Sequence, residues 1–307
     1  MKTVKEKLRF LKNSVESCKS IHKHFRGQHK HCLKGLITNI SDPVITKINP
    51  YDKSYISGSW GKQAQMDSEW DKETYWVQVL VSSHIYGNTF RLYQTYKDFM
   101  HSANHREAMF ASSTTVSTSI EGPSAVLYGE GLYYHCYRSA DICHYDLQTN
   151  DVKRALVWAS TTSFRIVTMI AVRIVMWTLR LMRLMADGLW ALYATVGNHG
   201  NMVVSKLFWD NSSMTINVSQ TWETRLFKKA ASNAFMVCGV LYATRYVDDY
   251  KEEVFYAFDT ATGKEDNSLS LPLEKVAKGV ASLSYNPINR EIYMYNDGYL
   301  LAYQAYF

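Results

Sequence analysis

The sequence predicts an all-β fold built from short strands, and three observations carry that prediction. Runs of alternating aromatic and aliphatic residues recur, as in Thr74-Tyr75-Trp76-Val77-Gln78-Val79-Leu80, Leu132-Tyr133-Tyr134-His135-Cys136-Tyr137 and Val254-Phe255-Tyr256-Ala257-Phe258. Gly, Asn and Asp punctuate the gaps between them, which is the turn chemistry of a strand-rich chain. Aromatic residues make up 14% of the 307, with 22 Tyr and 8 Trp, and these side chains suit pleated, half-buried surfaces. Pattern alone leaves a sandwich, a barrel and a propeller open.

The first element is different. Val4, Leu8, Leu11, Val15, Cys18 and Phe25 fall on a heptad seam with His22 as a polar interruption. The segment reads either as the end of a longer oligomerising coiled coil or as a short amphipathic helix, too short to be stable alone. Gly27 to His31 then reads as a linker. His22, His24, His29, His31 and Cys32 carry zinc-ligand chemistry, but their spacing matches no established finger and the segment is basic. We therefore divide the chain into a stalk and linker at residues 1–31 and a β domain at residues 32–307.

The net charge of +6 is not spread evenly. The excess sits in residues 1–34 and 153–183, with no basic stripe beside a nucleic-acid readout motif. No nucleophile elbow, phosphate loop or zinc-protease helix is present. Asp259-Thr260-Ala261-Thr262-Gly263 opens like a calcium loop but lacks the spaced acids, so it reads as a tight turn, as does Asp297-Gly298. Three N-glycosylation sequons begin at Asn39, Asn211 and Asn217. Cys136 and Cys143 flank a hairpin and can bridge if the strands register. Cys18 lies on the helical seam, where an interchain bridge between parallel stalks is expected. The alternative is a cytosolic chain with five reduced thiols.

The last third of the chain is the most specific. Ala231-Ser232-Asn233-Ala234-Phe235-Met236-Val237-Cys238-Gly239-Val240-Leu241-Tyr242 is followed by Val254 to Glu265, by Ser284-Tyr285-Asn286-Pro287 and by Tyr293-Met294-Tyr295-Asn296-Asp297-Gly298-Tyr299. Tyr55 to Gly61, Ala125 to Tyr128, Gly188 to Ala194 and Gly200 to Leu207 precede it in order. This series resembles the olfactomedin domain over roughly residues 32–307. The resemblance implies a five-bladed β-propeller and a secreted glycoprotein that acts by binding, with no catalytic residues. It implies roles in cell adhesion, with extracellular-matrix or cell-surface partners of lectin or cadherin type, and a homo-oligomer formed through the stalk. No secretory signal opens the chain, so secretion would require a leader ahead of Met1.

The resemblance also implies particular residues. Cys32 and Cys238 match the family's domain-closing disulfide. The family's calcium ligands correspond to an Asp in a Val-Asp run, to Asn233 and Ala234, and to the pair Leu283 and Ser284. No matched carboxylate remains in that set, so no tight calcium site is expected. For Asn233 the plainer role is a capped turn that holds its blade.

Residues 153–187 depart from the family pattern. Residues 163–185 are apolar but interrupted by Arg165, Arg173, Arg180 and Arg183, too basic to span a membrane. On a helix at about 100° per residue these arginines form one stripe, which suits an anionic membrane surface. A second reading lies in the codons. Stepping back one base through Met176-Trp177-Thr178 forces Val-Asp, and Leu179 to Arg183 then permit Phe-Ala-Val-Asp-Glu, the run the family places before Gly-Leu-Trp. On this reading the stretch is a frame-shifted gene model, and the restored frame returns one Asp and weak calcium binding.

Overall fold

The computed structural model describes residues 35–46, 55–63, 74–128, 131–139, 141–155, 189–195, 197–210 and 215–307. Among them, five antiparallel sheets follow one another around a ring. Blade 1 comprises Gly58–Lys62, Tyr75–Val79, Thr89–Tyr93 and Arg106–Met109. Blade 2 comprises Val126–Tyr128, Gly131–His135, Ile142–Asp146 and Val152–Ala155. Blade 3 comprises Leu189–Ala194, Asn201–Asp210 and Thr215–Phe227. Blade 4 comprises Asn233–Val237, Val240–Asp248 and Lys251–Asp259, with Glu265–Asp266 and Leu271–Glu274 on its outer side. Blade 5 comprises Val280–Asn286, Glu291–Asn296 and Tyr299–Tyr306. The first strand of each blade is the inner one: Asn233–Val237 lies beside Val280–Asn286, which lies beside Gly58–Lys62, which lies beside Val126–Tyr128. The architecture is a five-bladed β-propeller.

The alternating aromatic pattern now has a cause. A propeller blade is covered on both faces, so successive residues of a central strand face different neighbours and both must be apolar. In blade 5, Tyr293 and Tyr295 pack with Trp60, Val77 and Tyr93 of blade 1. Their neighbours Ile292 and Met294 pack with Phe235 and Tyr242 of blade 4. Trp76 and Phe90 of blade 1 meet Leu127, Tyr134 and Tyr145 of blade 2, and Tyr133 and Ile142 of blade 2 meet Leu189, Tyr193 and Val203 of blade 3. The helix Tyr96–His101, capped by the Thr95 hydroxyl, adds Phe99 to the first of these clusters.

The ring is closed by the two ends of the chain. Asn39–Ile40 and Val44–Thr46 both pair with Tyr299–Tyr306, in the register Asn39↔Tyr306, Ile40↔Ala305 and Val44↔Ala302. Thr38 N donates to Tyr306 O at 2.8 Å and Ser41 N to Gln304 O at 3.0 Å. The buried Ile37 N–H donates to the Tyr242 hydroxyl at 2.9 Å, which fastens the start of the ring to blade 4. Blade 1 is tied to blade 5 by Trp60 Nε1 donating to Met294 O at 2.8 Å and by Asn286 Nδ2 donating to Lys62 O at 3.2 Å.

The turns follow their chemistry. Asp297 and Gly298 take positive φ between two strands of blade 5. The Asp259 carboxylate accepts from Ala261 N and the Thr262 hydroxyl, with Gly263 at φ +69°.

One boundary needs correction. The irregular stretch does not begin at residue 153, because Val152–Ala155 is the regular outer strand of blade 2. The Arg154 guanidinium pairs there with the buried Asp141 carboxylate, so this basic residue serves the propeller. The remainder of 153–187, with the arginine stripe of 163–185 and the frame-shift reading, lies outside the described residues. So do the coiled coil and linker of 1–31. Among the described residues no helix is long and apolar enough to cross a membrane.

Two consequences are measurable. Removing the hydroxyl in Tyr242→Phe strands the Ile37 N–H in the core and should cost about 1–3 kcal/mol in chemical denaturation; a change below about 0.5 kcal/mol would show that the hook carries no weight. The second concerns His144, which stacks on Tyr133 at 4.4 Å between centroids and lies so close to Gly131 that a Cβ there would collide with it. Burial pulls its pKa down from 6.5 to about 4. The unfolded chain therefore binds a proton that the folded chain rejects, so stability is full above about pH 6.5 and falls as pH drops toward 4. His144→Gln should flatten that slope by close to one proton, and an unchanged slope would contradict the assignment.

Candidate functional site

Asn233, Ala234 and Leu283, the residues that the resemblance assigns to an ion site, lie on neighbouring inner strands. Asn233 opens the inner strand of blade 4, paired with Thr244, and Ala234 follows it. Leu283 sits on the inner strand of blade 5, which lies alongside. Asn233 is a strand residue, so its plainer role as a capped turn does not hold. Its Oδ1 accepts from Ala234 N at 3.0 Å, and its buried Nδ2 has no hydrogen-bond partner among the described residues.

The chemistry of this set does not suit calcium, which takes six to eight oxygens with carboxylates among them. Asn233 offers one side-chain oxygen, already engaged. The Leu283 side chain is buried in the apolar cluster shared by blades 4 and 5, so this position supplies no side-chain oxygen. The nearby carboxylate is committed elsewhere. Glu252 accepts from the Ser232 hydroxyl and pairs with Lys275 at 3.3 Å, the two side chains being 3% and 0% exposed. Lys275 Nζ also donates to Lys278 O at 2.9 Å and lies 4.7 Å from the centre of the Tyr246 ring. A buried pair this fully satisfied holds its charge in place rather than offering it to an ion. Among the described residues no group of three or more His, Cys, Asp and Glu gathers as a metal site.

Sequence reasoning missed the Glu252–Lys275 pair. Its two residues are 23 apart and on different strands or loops, and each looks like an ordinary surface charge in the sequence. The only available signal was positional: Glu252 alternates with the buried Val254 on the same side of its strand.

The cysteines divide as follows. Cys136 and Cys143 form a disulfide across the blade 2 hairpin, with Cα atoms 5.4 Å apart and both residues buried. Cys238 is disulfide-bonded and occupies, with Gly239, the positive-φ turn between two strands of blade 4. Cys18 and Cys32 lie outside the described residues, and with them the Cys32–Cys238 pairing. Of the sequons, Asn39 is exposed on the ring-closing strand and Asn217 is half-buried on the outer strand of blade 3. Asn211 lies outside the described residues.

With this geometry in place, residues 27–307 match the family model described as Olfactomedin-like domain. The chain belongs to the olfactomedin-domain family. It is 35% identical over 272 residues to olfactomedin-4 of Homo sapiens, covering 89% of this chain and 50% of that protein. It is 34% identical over 281 residues to olfactomedin of Aquarana catesbeiana, covering 89% and 57%. It is 28% identical over 282 residues to adhesion G protein-coupled receptor L1 of Rattus norvegicus, covering 89% and 17%. The chain thus spans about half the length of the olfactomedins it matches. The olfactomedin family is a family of non-enzymatic binding domains, and residues 27–307 belong to it.

Millimolar calcium should leave the melting temperature where it stands in chelator. A rise of several degrees, saturating with calcium, would mean that the axial strands hold an ion despite their donor set.

Proposed function

We propose that this chain is the binding module of a secreted, glycosylated adhesion protein. The buried Cys136–Cys143 disulfide carries the proposal, because structural disulfides form and persist in oxidising compartments. The sequon at Asn39 supports it, since its asparagine is exposed on an outer strand where a glycan has room. Membership of the olfactomedin family supports the adhesion role.

Recognition would rest on surface complementarity at the loops between blades. The partners are cell-surface or extracellular-matrix proteins, of the lectin or cadherin type that the family resemblance suggests. An N-terminal stalk linked through Cys18 would add multivalency, which multiplies weak contacts into lasting attachment.

The full chain, expressed behind a secretion leader, should leave the cell with N-glycans at Asn39 that an amidase removes. Labelled, it should bind cultured cells saturably, and protease treatment of those cells should abolish binding. Retention of unglycosylated protein with free Cys136 and Cys143, or binding that never saturates, would overturn the proposal. Reduction should also dissolve covalent oligomers on a gel, and Cys18→Ser should do so without reductant.

A further inference from the structure

The hairpin joining Val240–Asp248 to Lys251–Asp259 is the most exposed aromatic feature among the described residues. Asp248 pairs with Lys251 across its end, so Asp249 and Tyr250 form the tip. Tyr250 is 65% exposed, more than any other large hydrophobic side chain described. Its backbone is held from both sides: Tyr250 N donates to Asp248 Oδ1 at 2.7 Å, and Tyr250 O accepts from Lys275 N at 2.8 Å. The ring is thus offered to solvent on a fixed support.

Its neighbour Tyr246 differs. The Tyr246 hydroxyl donates to Asp249 Oδ1 at 2.6 Å, and the buried Lys275 ammonium sits over its ring. That phenol is occupied, whereas no described residue engages the Tyr250 hydroxyl. Acidic residues stand at both positions before Tyr250, and both Asp248 and Asp249 are exposed. Glu252 and Glu253 follow it in sequence, but Glu252 is buried against Lys275 and Glu253 is bound by Arg245. Asp249 lies 3.5 Å from Lys278, but both of those side chains are more than half exposed, so the carboxylates a modifying enzyme could read are Asp248 and Asp249. An enzyme that handles a polyanionic sulfuryl donor presents cationic groups, and such groups are attracted to these two acids.

We infer that Tyr250 is an acceptor for O-sulfation. The inference rests on the secreted reading, because it requires a lumenal sulfotransferase. The phenolic oxygen of Tyr250 attacks the sulfur of a nucleoside 3′-phosphate 5′-phosphosulfate. An aryl O–S bond forms and the S–O bond to the 5′-phosphate breaks. The phenolic proton passes to a base of the transferring enzyme, the nucleoside 3′,5′-bisphosphate departs, and no electrons are exchanged. The product is a fixed negative charge on the hairpin tip, next to two carboxylates, which suits recognition by a guanidinium-rich partner.

The test is metabolic labelling of the secreted full chain with radioactive sulfate, followed by amidase removal of N-glycans and peptide mass spectrometry. The expected result is label on the peptide containing Tyr250 that resists alkaline phosphatase and is released by mild acid. Tyr250→Phe should abolish it, Tyr246→Phe should keep it, and Asp248→Asn with Asp249→Asn should lower it several-fold. Because Tyr250 is exposed, Tyr250→Phe should melt like the parent, which separates loss of label from loss of folding. A secreted, glycosylated chain with unlabelled Tyr250, or with phosphate there instead, overturns the inference and leaves the secreted reading intact. A chain with neither glycan nor sulfate overturns both.

Discussion

Everything in this molecule depends on the closure of the ring. A propeller blade cannot bury both of its faces unless it has a neighbour on each side, and the last blade has only blade 4 until it meets blade 1. Here Asn39–Ile40 and Val44–Thr46 are laid onto Tyr299–Tyr306, more than 250 residues away. Beside that seam, Trp60 and Tyr293 pack as a tilted pair at 4.8 Å within the buried cluster of blades 1 and 5.

The heavy use of tyrosine follows from the same constraint. The gap between radial blades is wide at the rim, and a tyrosine ring fills it while its hydroxyl reaches backbone that no strand partner satisfies. Tyr242 receives Ile37 N–H, Tyr134 reaches Thr118 O, and Tyr303 reaches Glu274 O. The first of these joins segments 205 residues apart, so it fixes the position of blade 4 against the closing strand as well as satisfying a polar group. Asn296 does similar work with a side-chain amide, bonding Val276 N, Ala277 N, Ala277 O and Gly279 O in the link between blades 4 and 5.

Blades 4 and 5 are legible in the sequence because their strands are long, aromatic and separated by turns with Asp-Gly or Asp-Thr-Ala-Thr-Gly chemistry. The closing strands are not, because Asn39–Ile40 and Val44–Thr46 are two and three residues long and their partner is at the other end of the chain. A local pattern cannot report a partner that distant. The strand Val152–Ala155 is hidden for another reason: Lys153 and Arg154 read as the onset of a basic run, and only the Asp141 contact shows Arg154 to be part of the blade. At the axis, the sequence names Asn233, Ala234 and Leu283, which lie on adjacent strands. It does not show that Asn233 bonds its own neighbour or that the nearby Glu252 is consumed by Lys275.

The functional reading follows from where the chain is rigid and where it is open. The cores between blades are buried and aromatic, while exposed side chains occur at hairpin ends such as Tyr246 to Tyr250 and on the outer strands. The most direct test is amide hydrogen exchange of the intact protein. Ring closure predicts that the amides of Thr38, Ser41 and residues 300–305 exchange only through global unfolding, with the same free energy as Phe235 and Leu241 in blade 4. Exchange at residues 38–46 through local opening, several kcal/mol below blade 4, would show that the propeller stands without its seam.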